Sequence, residues 1–178
     1  MLMLSATGSY LTFPSTGLLE DEFSTTFWYK VNADPNRAGI ITVSAVNANG
    51  PNLNNLNYGF QLFREGDAAS QRIKASVGTG EGNSWNDGGL INVTAGEWVH
   101  VAFTISETES KIYLNGVLQN TGTVTGGVDW TGADLISVMS GAPRFTEWNH
   151  LSDRSYIDEL RFYNVVLSQE EIQAAIAE

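Results

Sequence analysis

The chain has 178 residues, enough for one domain with a sizeable core. Nine Lys and Arg against twenty Asp and Glu give a net charge of −11 with no basic stripe, which excludes a phosphate-backbone partner and so nucleic acid. The absence of cysteine excludes disulfides, thiol catalysis and thiolate metal sites, and no apolar run approaches the ~20 residues that would allow membrane insertion.

The opening Met1-Leu-Met-Leu is too short and uncharged for a signal peptide, so any export signal is expected upstream of an excised domain. Residues 10–13 read as a short strand closed by Pro14. Residues 23–31 alternate well: Phe23, Thr25, Phe27, Tyr29 and Val31 on one face, Ser24, Thr26, Trp28 and Lys30 on the other. Residues 39–46 form a β-branched run. Residues 47–57 hold six asparagines with Gly50 and Pro51, which predicts a long loop. Residues 58–65 and 71–77 read as paired strands joined at Gly66-Asp67. A polar loop carrying Trp85 is expected over residues 78–89.

Residues 97–106 make a strong strand, with Val99, Val101, Phe103 and Ile105 facing one way. Asn115-Gly116 between apolar runs is a hairpin signal, because both turn positions tolerate positive φ. A glycine-rich loop over residues 121–131 carries Trp130. After a strand at residues 134–139, a loop from 140 to 155 holds Trp148, His150 and Asp153. Residues 156–163 alternate again, with Tyr156, Asp158, Leu160 and Phe162 on one face. That alternation predicts Asp158 pointing toward the core, where a bare carboxylate is costly unless paired, hydrogen-bonded or metal-bound. Ser168-Gln-Glu-Glu171 is a capping box opening a short terminal helix, with Ile172 and Ile176 on one face. There is no internal repeat or linker, so residues 1–178 read as a single domain. The predicted fold is all-β, a sandwich of two antiparallel sheets with a short C-terminal helix.

Four segments in order, Phe23-Ser-Thr-Thr-Phe-Trp-Tyr-Lys30, Glu97-Trp-Val-His-Val-Ala-Phe-Thr104, Lys111-Ile-Tyr-Leu-Asn-Gly-Val117 and Tyr156-Ile-Asp-Glu-Leu-Arg-Phe-Tyr-Asn164, carry a resemblance. Together they resemble the bacterial laminin-G-like, concanavalin A-like lectin and glucanase jelly-roll domains. The resemblance implies an extracellular or cell-surface location and places Trp28 and Trp98 at framework positions. It also implies that Asp158 can ligate a structural calcium completed by backbone carbonyls near the N-terminus, with Asp153 as a further candidate ligand. The alternative for Asp158 is hydrogen bonding to backbone N–H groups, or pairing with Arg154 or Arg161. The architecture hosts glycosidases, lyases, lectins and protein-binding modules alike, so activity has to be read from the site.

For catalysis, Glu20-Asp21-Glu22 is the nearest acidic cluster, but it precedes a strand and reads as an acidic turn. No nucleophile elbow or phosphate loop appears, and with only His100 and His150 a histidine zinc triad is excluded. The aromatics point to recognition. Sugars stack C–H faces on indole and phenol rings while their hydroxyls need fixed amides and carboxylates. Trp85, Trp130 and Trp148 fall beside Asn86, Asp129 and Asn149, and Tyr58 ends the asparagine loop. Trp85, Trp130, Trp148, Tyr58, Asn86, Asn149 and His150 are therefore the candidate ligand-binding residues. Each Trp either meets ligand or folds back to cap the sandwich. The expected function is non-catalytic binding of a polysaccharide or oligosaccharide, probed against two alternatives: a protein-interaction, adhesion or spacer module, and a glycoside hydrolase or polysaccharide lyase with unfamiliar residues.

Overall fold

Alternating segments of this kind become strands because each can bury one face and leave the other to solvent or to a covering segment. The computed structural model describes residues 2–3, 8–32, 34–46, 57–67, 70–92 and 96–178. Its strands are β1 (Leu2–Met3), β2 (Leu11–Pro14), β3 (Phe23–Lys30), β4 (Arg37–Ser44), β5 (Gly59–Asp67), β6 (Ser70–Gly78), β7 (Asn83–Asn92), β8 (Val99–Ile105), β9 (Glu109–Leu114), β10 (Val117–Thr123), β11 (Leu135–Val138) and β12 (Tyr156–Tyr163). One helix, α1 (Gln169–Ile176), follows. The expected asparagine loop lies mostly outside the described residues.

The strands form two six-stranded antiparallel sheets, in the orders β1-β12-β3-β8-β9-β10 and β2-β11-β4-β5-β6-β7. Between them Phe23, Phe27, Tyr29, Ile41, Val43, Phe60, Leu62, Val101, Phe103 and Ile136 are all shut off from solvent. Burying a side chain of that size stabilises by roughly 1.5–3 kcal/mol, so this shared layer holds the sheets face to face. Asn115 and Gly116 both adopt positive φ and close the β9–β10 hairpin, as their sequence predicts. The capping box of α1 is present in both directions, between Ser168 and Glu171. The helix and the turn before it lay Leu167 and Ile172 on Ala102 and Tyr113, on the outer face of the first sheet.

Two expectations are corrected. Trp85 lies on a regular strand, β7, and not in a loop. Asp158 does not face the core. Ile157, its neighbour, is buried, and a register shift between Asp158 and Arg161, with Glu159 at φ 50°, inserts a bulge. A bulge reverses facing, because side-chain direction has a period of two. Leu160 and Phe162 therefore pack on the core while Asp158 turns outward.

The buried carboxylate is instead Asp153. Its Oδ1 accepts from Arg64 Nη2 at 3.0 Å and from the Ser155 N–H at 2.9 Å, and its Oδ2 accepts from the Tyr29 hydroxyl at 2.5 Å. Arg64 Nη1 also donates to Pro35 O at 2.7 Å and to Gln71 Oε1 at 2.8 Å. The side chains of Arg64 and Asp153 are both fully buried. Burial works against the Arg64 charge, but the Tyr29 oxygen and the Asp153 carboxylate outweigh it and hold its pKa above the ordinary value. Burial likewise raises the Tyr29 phenol well above 10. Removing one member strands the other's charge in a dry interior. Arg64→Met or Asp153→Asn is therefore expected to cost about 3–5 kcal/mol in urea unfolding, and the Arg64→Met/Asp153→Leu double variant less than the sum. Single variants that lose under 1 kcal/mol would show that the pair does not bear on stability.

Candidate functional site

Strand pairing aligns residues across the second sheet. Ser137 on β11 lies opposite Thr42 on β4, Thr42 opposite Gln61 on β5, Gln61 opposite Ser76 on β6, and Ser76 opposite Trp85 on β7. Directly paired residues share a face, and because Ile41, Val43, Phe60 and Leu62 fill the core, this row faces outward. Ser137 Oγ, Thr42 Oγ1, Gln61 Nε2 and Ser76 Oγ are each buried with no hydrogen-bond partner among the described residues. Four unpartnered polar atoms in one register row are uncommon, since buried polar groups are normally satisfied by protein or by ordered water.

The segment between β11 and β12 lies along this face. Its Met139 N–H donates to Ile40 O and its Leu151 O accepts from Gly39. Gly141 sits inside the fold of this segment, where a β-carbon would meet Phe145 O at 2.3 Å and His150 O at 2.5 Å and lie 3.2 Å from Gln61 Nε2 of the row, so only glycine fits. A short 3-10 turn, Glu147–Asn149, then brings Trp148 onto the face, with Trp148 at φ 54° and Asn149 at φ 62°. Two consecutive non-glycine residues in the left-handed region cost on the order of 1–3 kcal/mol each, and such strain concentrates at functional sites. Its result is an indole pair: Trp148 and Trp85 have ring centroids 5.7 Å apart, tilted by 31°. Behind them Phe63 stacks on His150 at 4.3 Å, and Phe145 closes the cluster. Trp85 keeps 43% of its surface exposed.

A groove of about 400 Å³ continues along the same face, lined by Asn36, Arg37, Glu65, Arg72, Lys74 and Leu90 among others. Glu65 in its lining accepts from Lys74 at 3.0 Å and contacts His150 Nε2 at 3.3 Å. Burial alone would raise the Glu65 carboxyl, but Lys74 and His150 outweigh it and hold it below the usual value. Arg37 Nη1 reaches Trp148 O at 3.5 Å, joining groove to indoles.

The structure thus brings together Trp85, Trp148 and His150, with Asn149 exposed beside them. Three expected residues stand elsewhere. Trp130 folds back on Phe23 and Phe60, with its indole N–H donating to Glu20 O at 2.9 Å, which is the capping role. Asn86 is buried and ties β7 to the other sheet, donating to Ser110 O and Asn120 O, so it is not presented to a ligand. Tyr58 is exposed at the start of β5, at the opposite end of that strand from Glu65. Residues missed from sequence are Arg37, Glu65, Arg72 and Lys74. Their signal was the outward phase of β5 and β6, where charges alternate with Leu62, Ile73 and Ala75.

The expected calcium donors do not fit that role as a set. Both Asp153 oxygens are occupied and both contact the Arg64 guanidinium, where a dication would be repelled. Asp158 instead lines a depression of about 330 Å³ on the outer face of the first sheet with Trp28 and Trp98. Among the described residues no three His, Asp or Glu side chains converge.

Burial lowers the pKa of both histidines to about 4, with Arg161 adding to the effect at His100 and Glu65 opposing it at His150. Below pH ~6.5 the unfolded chain takes up protons at these sites that the native state refuses. Stability is therefore expected to fall as pH drops from about 6.5 toward 4, by at most roughly 3 kcal/mol per histidine. The His100→Gln/His150→Gln double variant should flatten urea-unfolding stability between pH 7 and 5; an unchanged slope would refute this.

No curated protein sequence matches the chain. The structure is similar to a Ruminococcus gnavus sialidase module, CBM40, solved with α2,3-sialyllactose: TM-score 0.69 and 16% identity, covering 98% of this chain and 95% of that one. It is also similar to the receptor-binding domain of botulinum neurotoxin D, with TM-score 0.68 and 15% identity, over 98% of this chain but 42% of that one. A third likeness is domain 4 of AbnA, an extracellular arabinanase from Geobacillus stearothermophilus, in complex with arabinotriose: TM-score 0.57 and 20% identity, over 86% and 66% of the two chains. At these identities the likeness is one of fold. A family model covers residues 5–173, and together with the paired six-stranded sheets it establishes that this chain belongs to the concanavalin A-like lectin/glucanases superfamily.

Proposed function

We propose that the chain is a non-catalytic carbohydrate-binding module, acting outside the cell or at a bacterial cell surface, that holds a saccharide against the outer face of the second sheet. The observation carrying this reading is the Trp85–Trp148 pair, with Trp85 43% exposed, joined through Arg37 to the polar groove along the same face. Indole faces receive the C–H face of a sugar ring, and the polar side chains of the adjoining groove are what ring hydroxyls or bridging waters engage. The similar modules solved with sialyllactose and arabinotriose support the same direction. Glu65 is not poised as the general acid that glycoside cleavage needs. A general acid needs a raised pKa, and Glu65 is held low by Lys74 and His150.

The test is a glycan array followed by titration calorimetry on the best ligand. Trp85→Ala and Trp148→Ala should each weaken binding about tenfold or more while leaving the melting temperature within a few degrees. Binding that is indifferent to both substitutions would move the site elsewhere, and an array with no ligand would end the carbohydrate reading.

A further inference from the structure

We infer that the groove beside the indole pair is built for a saccharide carrying a carboxylate, with Arg72 as the residue that recognises it; this rests on the carbohydrate-binding reading above. Cations are scarce in this chain, nine against twenty acids. Most are neutralised in place. Arg64 pairs with Asp153, Lys74 with Glu65 and Asp87, Lys111 with Glu109, Arg144 with Asp134, Arg154 with Asp34, and Arg161 with Glu159 and Glu178. Arg37 reaches Glu65 at 3.8 Å. Arg72 lines the groove, and among the described residues no carboxylate comes within pairing distance of it.

Its guanidinium is nonetheless held in place. Nη1 donates to Asp87 O at 3.1 Å and to Gly88 O at 3.2 Å. Those carbonyls are turned toward it by a bulge between β6 and β7, where Gly88 takes φ +49° and a β-carbon would meet Ile73 O at 1.7 Å. Backbone carbonyls orient the fork without cancelling its charge, and Nε and Nη2 remain as parallel donors matched to a carboxylate. On β7, Leu90 stands directly opposite Arg72 and is largely exposed, offering an apolar surface next to the charge. Arg72 and Ser76 are four residues apart on β6, ~13 Å along the strand, and Ser76 is opposite Trp85. A short oligosaccharide can thus stack one ring on Trp85 and place an acidic ring at Arg72. Lys74, between them on the same face, is spent on Glu65 and Asp87, and these acids with Asp67 keep the groove from attracting anions indiscriminately.

The experiment titrates the chain with lactose, α2,3-sialyllactose and a galacturonate trimer at low and high salt. At least one carboxylated probe should bind about tenfold tighter than lactose, with the margin shrinking at high salt. Arg72→Gln should reduce that probe to the lactose level, Arg72→Lys should retain part of the margin, and both should melt like the parent. Equal or tighter binding of lactose, or a preference that survives Arg72→Gln, would overturn the inference while leaving the carbohydrate reading intact. No binding of any of the three probes would overturn this inference, and it would remove the carbohydrate reading as well only if a neutral-glycan array were also blank.

Discussion

The buried contact between Arg64, Asp153 and Tyr29 fixes how the rest of the molecule is arranged. Tyr29 belongs to the first sheet, Arg64 to the second, and Asp153 to the segment leading into β12. Three parts of the chain far apart in sequence are joined by groups that cannot be left alone in a dry interior. Apolar packing between the sheets tolerates sliding, since it has no direction. A guanidinium that must also meet Pro35 O and Gln71 Oε1 does not tolerate it. The contact therefore supplies register where the hydrophobic layer supplies most of the cohesion.

That anchoring reaches the surface through the covering segment. Asp153 N–H donates to Met139 O, closing residues 139–153 into a loop pinned at both ends. Within it, Gly141 allows the backbone to approach Gln61, and Trp148 and Asn149 adopt left-handed conformations that a free loop would relax. The strain is sustained by Phe145, His150 and Phe63 packed beneath. The indole pair is thus a consequence of buried order, with Trp85 supplied by a strand and Trp148 by a restrained loop.

Much of this architecture was legible in the sequence. Alternation along residues 23–31 and 97–106 gave the central strands, Asn115-Gly116 gave the hairpin, and Ser168 with Glu171 gave the helix start, each because the signal is local. What misled was phase. A single bulge at Glu159 reversed the facing of Asp158, and nothing in Ile157-Asp-Glu-Leu160 announces a left-handed residue. The composition around Trp85 suggested a loop, but Asn83 to Asn92 form a strand because they have β6 to pair with, so tertiary context overrode propensity. The pairing of Arg64 with Asp153, 89 residues away, leaves no trace in any local window. The same holds for Trp85 meeting Trp148: each was visible as a candidate, but their contact depends on the covering loop.

Charge placement explains why the groove differs from the rest of the surface. In a chain of net charge −11, self-repulsion favours pairing every available cation with an acid, and most are paired. Arg72 escapes because its two carbonyl partners carry no net charge, so the side chain is ordered without being neutralised. Glu65 next to it is already engaged by Lys74 and His150 and has less to offer Arg72. The bulge at Gly88 and the burial of His150 thus act on the same patch, one fixing an unspent positive charge and the other occupying the acid that would have cancelled it.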